Sequence, residues 1–434
     1  MKVGIIGGGV AGLAAAYRLL QGGCQVELLE AGPLLGGQVR TFTIGGGRIE
    51  CFYHHIFSTD TAVARLIQEL GMEEDLAWQD SRVGLFHGGR VYPFVTPLDL
   101  LRFSAISPLD RLRLGLMGLY LRRRRDWRPY EAITAKEWII RHAGRRSYEV
   151  IWEPLLRGKF ADRADDISMA WFWGKIHVRF ASRRGILQRE KLGYLLGSFG
   201  RYIDALTDRL RALGGVLHTD RSVEEIEVAD GRAVGLRAGG ELIPCDAVIA
   251  TVPNGAFLKL APTMPQDYAS LLRRVQYQWA TCLVVALKHP LTPAYWLNIS
   301  DRSMPFVALV EQTNFVDPSH YDGLHVVYLS NYVDAASPIL HKDEEELWQE
   351  YLPHIQRINP QFSPDWVVDK WLFKDPAGQP VITVGYSPPP HLTPIRGLYL
   401  ANTTQIYPED RGQNYSIRMG EEVARLLMRD RAAL

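Results

Sequence analysis

The chain has 434 residues, of which 47% are hydrophobic and 22% charged, and its 49 basic and 48 acidic residues give a formal net charge of +1. These values are typical of a globular protein with more than one domain, and they argue against a general attraction to nucleic acid. The four cysteines lack CxxC spacing, which argues against a disulfide framework or a metal site and favours a reducing cytoplasm.

The first predicted strand leads into a glycine-rich turn and a helix. Val3 to Ile6 is an apolar run suited to a buried parallel strand, and an alanine- and leucine-rich segment typical of a helix continues to Leu20. Between them stands Gly7-Gly8-Gly9-Val10-Ala11-Gly12, which follows the GxGxxG pattern. This order of strand, glycine turn and helix is the one that a dinucleotide site requires.

Each residue of the pattern has a physical role in such a site. Gly7 permits a tight turn, Gly9 lets the backbone approach a pyrophosphate, and Gly12 lets the helix pack closely on the strand. The first helical turn, with Val10 and Ala11, offers free N–H groups to an anion.

A carboxylate follows the second predicted strand. Gln25 to Leu29 ends at Glu30, 18 residues after Gly12, where a carboxylate can accept hydrogen bonds from a ribose diol. A glycine-rich structural turn is the alternative. Because the strand context and the acid agree, we expect a dinucleotide site.

The segment from Glu30 to Thr41 indicates which dinucleotide is bound. It reads EAGPLLGGQVRT and resembles the EAxxxxGGRxxT signature of the flavin amine oxidase superfamily, which includes protoporphyrinogen oxidases, phytoene desaturases and UDP-galactopyranose mutases. The resemblance implies an FAD cofactor. It also implies FAD contacts for further residues of the segment: Ala31, Gly36, Gly37, Gln38, Arg40 and Thr41. Gln38 stands where the family usually has arginine, so one phosphate contact is expected to be neutral.

Later segments extend the resemblance over nearly the whole chain. LGYLLGSF at 192–199 resembles the GYxxGG entry to a helix, and the strand-like segment 221–228 contains Val223 at the usual adenine contact. Cys245 to Pro253 is similar to the family's aDxVIxTxP segment, which implies a cofactor contact for Thr251.

The resemblance also covers the C-terminal segment. Gly397 to Asn402 reads as the last strand, where the family places a contact for Asn402, and RGQNYSIRMG begins the last helix. In relatives, free amides of that helix face the pyrimidine carbonyl of the isoalloxazine and stabilise negative charge on reduced flavin. This implies contacts for Asn414, Tyr415 and Ser416. The segment contains no cysteine, which argues against a covalent thioether to FAD.

The predicted fold is α/β: a Rossmann-like FAD-binding domain of the amine oxidase type, interleaved with a mixed α+β substrate domain. The FAD-binding domain is expected to be discontinuous, with segments 1–62, 186–275 and 386–434. The substrate domain takes 63–185, mainly helical with helices near 62–70 and 131–142, and 276–385, with strands near 281–287, 305–310 and 324–333.

Two adjacent histidines stand in the segment ECFYHHIFSTD. If the segment is extended, His54 and His55 point to opposite faces and cannot easily chelate one metal, so we expect no metal site. The stretch from His55 resembles the HIFHTN segment of UDP-galactopyranose mutases, which passes close to the flavin. This implies that His55 and Ile56 line the flavin pocket, and a structural role for His55 is the alternative.

Two basic regions leave alternatives open. Residues 111–127 combine leucines with four consecutive arginines, so they form either a surface helix that meets anionic lipid or a buried helix with solvated arginines. Basic residues also flank the aromatic run 171–173. Two alternatives are open for them: binding of an anionic or diphosphate substrate, or structural ion pairs. These basic residues are Arg157, Lys159, Arg179, Arg183 and Arg184.

The resemblance implies an oxidoreductase that moves a hydride from a substrate C–H to flavin N5, in a C–N or C–C desaturation. No residue is identified as a catalytic base. The alternatives are a mutase that uses reduced flavin without net redox change, and a non-catalytic FAD-bound scaffold. We expect a small lipophilic or anionic substrate, no nucleic acid, and a cytoplasmic location, with peripheral contact to the inner face of the membrane left open. Tyr386, Tyr407 and Arg411 are further pocket candidates by analogy.

Overall fold

The structure is a computed structural model that describes residues 1–182 and 189–432. Its strands, in chain order, are β1 (Lys2–Ile6), β2 (Gln25–Leu29), β3 (Thr41–Ile44), β4 (Gly47–Glu50), β5 (Ile56–Phe57), β6 (Leu76–Asp80), β7 (Val83–His87), β8 (Arg90–Pro93), β9 (Lys191–Leu195), β10 (Val216–His218), β11 (Glu225–Ala229), β12 (Arg232–Ala238), β13 (Glu241–Pro244), β14 (Ala247–Ala250), β15 (Tyr277–Leu287), β16 (Trp296–Ile299), β17 (Ala308–Glu311), β18 (His325–Val333), β19 (Val367–Pro380) and β20 (Leu398–Leu400).

The α-helices are α1 (Val10–Gln21), α2 (Thr61–Glu69), α3 (Pro97–Arg102), α4 (Pro108–Arg123), α5 (Ala135–Ala143), α6 (Arg145–Ser147), α7 (Glu153–Phe160), α8 (Met169–Ala181), α9 (Gly200–Ala212), α10 (Asn254–Leu260), α11 (Gln266–Arg274), α12 (Glu344–Ile358) and α13 (Gln413–Ala432). A short π-helix, Tyr148–Trp152, precedes α7.

A five-stranded parallel sheet carries the first predicted strands. Its order is β10-β2-β1-β14-β20, and every neighbouring pair is parallel. β1 and β14 are apolar and almost fully buried, as strands covered on both faces must be. The predicted α/β class is confirmed.

A seven-stranded, mainly antiparallel sheet forms a second layer with the order β19-β15-β18-β17-β16-β7-β8. All of its strands come from 63–185 and 276–385, whereas the parallel sheet draws all of its strands from 1–62, 186–275 and 386–434. The division into a cofactor domain and a substrate domain stays a prediction, with which this distribution is consistent.

Several element boundaries differ from the sequence prediction for local reasons. The helix predicted from Glu131 begins at Ala135, because Thr134 and Glu137 form a capping box that fixes its start. The strand predicted from Arg221 begins at Glu225, because the preceding backbone bonds elsewhere: the amide of Arg221 donates to the carbonyl of Glu30. The segment 50–57 is not one strand, since an irregular stretch separates β4 from β5.

Candidate functional site

The carboxyl ends of the parallel strands bring distant parts of the chain together. The amide of Gly7, after β1, donates to the carbonyl of Leu29 at the end of β2 (2.8 Å), and the amide of Thr251, after β14, donates to the carbonyl of Ile6 (2.8 Å). Ligands of open parallel sheets bind in the crevice at this edge. The predicted glycine turn therefore lies where a ligand site is expected.

The glycine turn is closed against the sheet and open at Gly9. Gly7 has a φ of +101°, which favours glycine. A Cβ on Gly12 would lie 2.2 Å from the carbonyl oxygen of Gly7, whereas a Cβ on Gly9 would meet nothing closer than the Cα of Gly37, at 3.8 Å. The backbone at Gly9 is thus accessible to a ligand that no side chain could approach as closely.

The N-terminus of α1 points its donors into this turn. Gly9 is the N-cap, in extended conformation, and no side chain caps the helix. The first amides of a helix have no intrahelical partner, which applies here to the buried residues Val10, Ala11 and Gly12. Their N–H groups and the partial positive charge of the helix end suit a diphosphate.

Glu30 follows β2 as the sequence predicts, but backbone amides already engage its carboxylate. Its two oxygens accept from the amides of Gly8 (2.7 Å) and Gly32 (2.8 Å). Since a carboxylate oxygen accepts more than one hydrogen bond, the ribose contact of Glu30 stays a prediction that these bonds permit. The neighbouring Ala31 is exposed at the surface, and its FAD contact also stays a prediction.

The predicted Gly36-Gly37 pair packs against the glycine turn. Both residues have positive φ, and the amide of Gly36 donates to the carbonyl of Gly8 (2.8 Å). Arg40 extends the same surface, because its guanidinium donates to the carbonyl of Gly37 (3.3 Å). The predicted diphosphate residues are therefore contiguous in space.

Gln38 and Thr41 have partners inside the protein. The amide nitrogen of Gln38 donates to the carbonyl of Ala377 (3.0 Å), and its oxygen accepts from Arg411 (3.3 Å). The hydroxyl of Thr41 accepts from Arg48 (2.9 Å). Their contacts with FAD stay predictions, and Gln38 connects the N-terminal segment to the residues before α13.

The first turn of α13 carries donors without a protein partner. The side-chain nitrogen of Gln413 is buried and makes no hydrogen bond, while its oxygen accepts from Tyr202 (2.8 Å). Asn414 accepts from the amide of Ala62 (2.9 Å), which fixes α13 to α2. The amide of Ser416 donates to Gly412, so any FAD contact of Ser416 falls to its side chain and stays a prediction.

Three residues with predicted FAD contacts, Thr251, Val223 and Asn402, have partners inside the protein. The hydroxyl of Thr251 donates to the carbonyl of Ile6 (3.0 Å) and supports the glycine turn. Val223 is buried beside β1 and β2. The amide nitrogen of Asn402 donates to Val252 and Asn254, each at 2.9 Å, so its side chain holds two loops together. None of these arrangements tests the predicted FAD contacts.

The two histidines take different partners. His54 Nδ1 lies 2.6 Å from the carbonyl oxygen of Phe52, and His55 Nδ1 lies 3.1 Å from the hydroxyl of Tyr295. Burial lowers the pKa of His54 to about 4 and that of His55 to about 3, so both imidazoles are neutral at neutral pH. His55 packs edge-on against the ring of Trp296, and Ile56 is buried in β5. Their place beside the flavin stays a prediction.

A cationic cluster that the sequence did not reveal lies before α13. It consists of Lys159, Lys175 and Arg411 around the carboxylate of Asp410. Lys159 and Lys175 both make ion pairs with Asp410, the second at 3.1 Å. Burial alone would raise the pKa of Asp410, but the two ammonium groups outweigh it and hold that pKa well below its usual range. Burial and repulsion by Lys159 lower the pKa of Lys175 to about 8.

Other basic residues near the aromatic run make ion pairs, as the structural alternative predicted. Arg157 contacts Glu153 (3.1 Å) and Arg179 contacts Glu190 (3.7 Å). Trp171 and Trp173 are buried in the core of the helical insertion. Arg183 and Arg184 lie outside the described residues. Lys175 and Asp410 escaped sequence reasoning because no local pattern joins positions so far apart in the chain.

These residues fit an FAD. The diphosphate end has the uncapped amides of α1 and open space at Gly9. The other end has a buried donor without a protein partner at Gln413 Nε2. A cavity of about 370 Å³ is lined by Asn414 and Tyr415 of α13 and by Trp173 and His177 of α8, but by no residue of the glycine turn. Within the described residues, no His, Cys, Asp or Glu cluster is suited to a metal ion.

Comparison with known proteins agrees with this geometry. The sequence model of the family described as flavin containing amine oxidoreductase matches residues 10–425. The zeta-carotene desaturase of Arabidopsis thaliana is 25% identical over 302 residues, which cover 60% of this chain and 52% of that protein. Amine oxidase B of Sus scrofa is 25% identical over 306 residues, which cover 66% of this chain and 57% of that protein. The chain thus spans little more than half the length of these relatives.

A solved structure shows the same fold. The crystal structure of reduced UDP-galactopyranose mutase superposes with a TM-score of 0.78 at 19% identity, over 98% of this chain and 95% of that chain. At this identity the likeness concerns the fold and not the reaction.

Proposed function

The chain belongs to the family of flavin-containing amine oxidoreductases, and from that premise we propose that it oxidises a small organic substrate by moving a hydride from a C–H bond to FAD. The observation that carries the proposal is that the Gly36-Gly37 pair contacts the glycine turn and that Gln38 accepts from Arg411, two residues before α13, in a chain that matches the family from residue 10 to 425. The relatives whose names describe a desaturase and an amine oxidase both carry out such oxidations, which supports this reaction class.

Bound FAD supplies the hydride acceptor, and the protein supplies position and electrostatics. The amides of Val10 and Ala11 would hold the diphosphate, and the lone pairs of Glu30 would hold the ribose. The positive end of α13, with the amides of Asn414 and Tyr415, would face the pyrimidine edge of the ring and stabilise negative charge there. We assign no catalytic base: burial lowers the pKa of His54 and His55, which makes both imidazoles weak bases, and the proton that leaves with the hydride is released to water.

The test is substrate-dependent bleaching of the protein-bound flavin under anaerobic conditions. A panel of primary and secondary amines, hydroporphyrins and partly saturated polyenes covers the C–N and C–C classes. Loss of the visible absorbance band with one class, and its return on admitting oxygen or a quinone, is the expected result. A flavin that no member of the panel reduces, but that turns over an isomerisation after dithionite reduction without an electron acceptor, would contradict it.

That second outcome describes a mutase, the other candidate function. The segment from His55 to Asp60 favours it, since it resembles the HIFHTN stretch of UDP-galactopyranose mutases. His55 is held by Tyr295 in an aromatic surrounding with Phe57 and Trp296. An FAD that is bound but supports neither reaction would indicate a scaffold.

We also propose peripheral contact with anionic lipid through α3 and α4. α4 buries one stripe, Leu114, Met117 and Leu121, against the helical insertion. Its other apolar side chains, with those of α3, are exposed by 36% to 62%: Leu98, Leu101, Leu109, Leu112, Leu116, Leu119 and Tyr120. Arg122 to Arg125 border this surface, and arginines beside exposed leucines favour an anionic bilayer surface. No described helix is long and apolar enough to cross a membrane.

Flotation with vesicles tests this contact. The protein should float with vesicles that contain phosphatidylserine and remain below with phosphatidylcholine alone, and Leu112→Ser with Leu116→Ser should abolish flotation. Leu242→Ser, at an exposed leucine (46%) of β13, is the matched control that should float as the wild type does. Equal flotation of the double variant and the wild type would exclude this surface.

A further inference from the structure

The cationic cluster of Lys159, Lys175 and Arg411 contains more positive charge than its carboxylate can neutralise. Asp410 is the carboxylate shared by both lysines. Arg411 instead donates to neutral groups, the hydroxyl of Tyr332 (2.9 Å) and the side-chain oxygen of Gln38 (3.3 Å). The carboxylate of Asp375 also raises the pKa of Arg411 and lies 3.9 Å from Arg40, so the three cations share Asp410 and part of the charge of Asp375. A surplus charge inside a protein is unfavourable unless an opposite charge binds there.

The two lysines of the cluster are only partly accessible. Burial is the largest influence on the pKa of both lysines and lowers it in each case. Yet the side chains of Lys159 and Lys175 keep 14% and 35% of their surface accessible. A ligand could therefore reach both ammonium groups.

Aromatic rings hold the cations in place. The ammonium groups of Lys159 and Lys175 lie 5.3 Å and 5.5 Å from the centroid of Trp171, and the guanidinium of Arg411 lies 5.7 Å from that of Tyr332. Cation–π contacts orient a charge without neutralising it. In addition, Arg411 Nε is buried and has no hydrogen-bond partner within the protein. The donors are thus fixed in position and one of them is unused.

The cluster contacts the predicted FAD segment. Arg411 donates to Gln38 of that segment and lies two residues before α13. Its charge also reaches His54, whose pKa it helps to lower after burial. The diphosphate has its own donors at the N-terminus of α1, so it does not account for this cluster.

We propose that Lys159, Lys175 and Arg411 bind an oxyanion of the substrate, a carboxylate or a phosphate, and thereby position its reacting carbon over the flavin. This rests on the proposed function for its second half, since the placement over the flavin presumes an oxidoreductase. The binding of an oxyanion by the cluster does not depend on that reaction. Ammonium and guanidinium groups are the side chains that recognise carboxylate and phosphate by charge-assisted hydrogen bonds.

The experiment compares anionic and neutral probes on the purified full chain. Benzoate and inorganic phosphate are the anions and benzamide is the neutral isostere of benzoate, each titrated by calorimetry and by the flavin difference spectrum. Lys175→Met and Arg411→Gln remove one cation each. Lys136→Met is the matched control, because Lys136 also pairs with an aspartate, Asp165 (2.6 Å), but at the half-exposed surface.

We expect benzoate or phosphate to bind in preference to benzamide, and Lys175→Met and Arg411→Gln to weaken the anion by about tenfold or more, as loss of a charge-assisted hydrogen bond does. Lys136→Met should leave the affinity unchanged. Benzamide binding as tightly as benzoate, neither anion binding at all, or unchanged anion affinity in both cluster variants would overturn the proposal. So would cluster variants that shift the flavin reduction potential alone, because the cluster would then serve the negative charge of the reduced flavin.

The two hypotheses fail in different ways. If the chain holds no flavin, the proposed function fails, and calorimetry on the colourless protein still decides whether the cluster binds anions. If flavin is bound and reducible but anions are ignored, the inference fails and the proposed function stands. Each variant is accepted only with wild-type circular dichroism and, where the wild type holds FAD, wild-type FAD content.

Discussion

The glycine turn after β1 and the cationic cluster before α13, which contacts the FAD segment through Gln38, provide positive charge by different means. The turn uses backbone amides and the end of α1, and its carboxylate Glu30 is satisfied by two further amides. The cluster uses long side chains from α7, α8 and the segment before α13, and its charge is not balanced. Amides carry no net charge, so the turn is stable without a bound ligand. The cluster carries positive charge, so it depends on Asp410 and on a bound anion.

The difference predicts which kind of substitution disrupts the glycine turn and which kind disrupts the cationic cluster. The turn should fail when its backbone geometry is disturbed and tolerate changes of side-chain chemistry. The cluster should fail when a charge is removed and tolerate changes elsewhere. Four substitutions or conditions separate these expectations.

Asp410→Asn should have the largest effect on stability. It leaves Lys159 and Lys175 without the carboxylate that both contact, and because the side chains of Lys175 and Asp410 keep 35% and 19% of their surface accessible, loss of these charge-assisted bonds should cost about 1.5 to 3 kcal/mol. Urea denaturation measures the loss. Asp165→Asn, which removes a half-exposed partner from Lys136, should change the free energy of unfolding by about 1 kcal/mol or less. Equal losses of unfolding free energy in the two variants would show that Asp410 stabilises the protein no more than a half-exposed ion-pair partner does.

Gly12→Ala should disturb the turn through its backbone. The added Cβ would lie 2.2 Å from the carbonyl oxygen of Gly7, and such overpacking costs about 1 to 3 kcal/mol. Fluorescence titration should show FAD bound roughly ten to a hundred times more weakly, since α1 must move from the turn. Gly255→Ala is the control, because a Cβ there meets no atom within 4 Å. Wild-type FAD affinity in Gly12→Ala would refute the role given to this glycine.

Raising the pH should weaken anion binding at the cluster. The pKa of Lys175 is about 8, lowered by burial and by Lys159 and Arg179 against the opposing effect of Asp410. Lys175 therefore loses its proton as the pH rises through 8, and benzoate affinity should fall by about fivefold between pH 7 and 9, the difference between a charged and a neutral hydrogen bond. His54 and His55 stay neutral over this range. A benzoate affinity that does not change with pH, or that falls equally in Lys175→Met, would show that Lys175 is not the group that titrates.

Thr251→Val should have the smallest effect. It removes the hydroxyl that donates to the carbonyl of Ile6 (3.0 Å) but keeps the shape that fills the space beside the turn. The free energy of unfolding should fall by about 1 kcal/mol, the usual value of one neutral hydrogen bond. FAD affinity should be unchanged, because the amides of the turn remain. A large loss of FAD affinity would mean that the turn depends on side-chain chemistry after all.

The two ends also differ in how far the sequence could predict them. Gly7, Gly9 and Gly12 stand within one turn, so their spacing and the apolar run before them were sufficient to place strand, turn and helix. Glu30 was found because strand β2 is equally short and apolar. The local chain determines these features, and the family resemblance placed the Gly36-Gly37 pair.

The cationic cluster could not be predicted, because Lys159, Lys175 and Asp410 come from segments that only the folded chain brings together. The sequence points to Lys159 and Arg411 but not to the carboxylate that both lysines contact. The segment before β11 shows the same limit, since its bonds to the loop after β2 decide where the strand begins. Tertiary contacts, and not local pattern, decide such positions.

The most direct test of the whole account is the FAD content of the purified chain. Absorbance of the released cofactor, measured against protein concentration after incubation with excess FAD and gel filtration, should give one FAD per chain for the wild type and a clearly lower ratio for Gly12→Ala. A wild-type chain that stays colourless and takes up no FAD would contradict the account, because the glycine turn and the start of α13 would then have no common ligand.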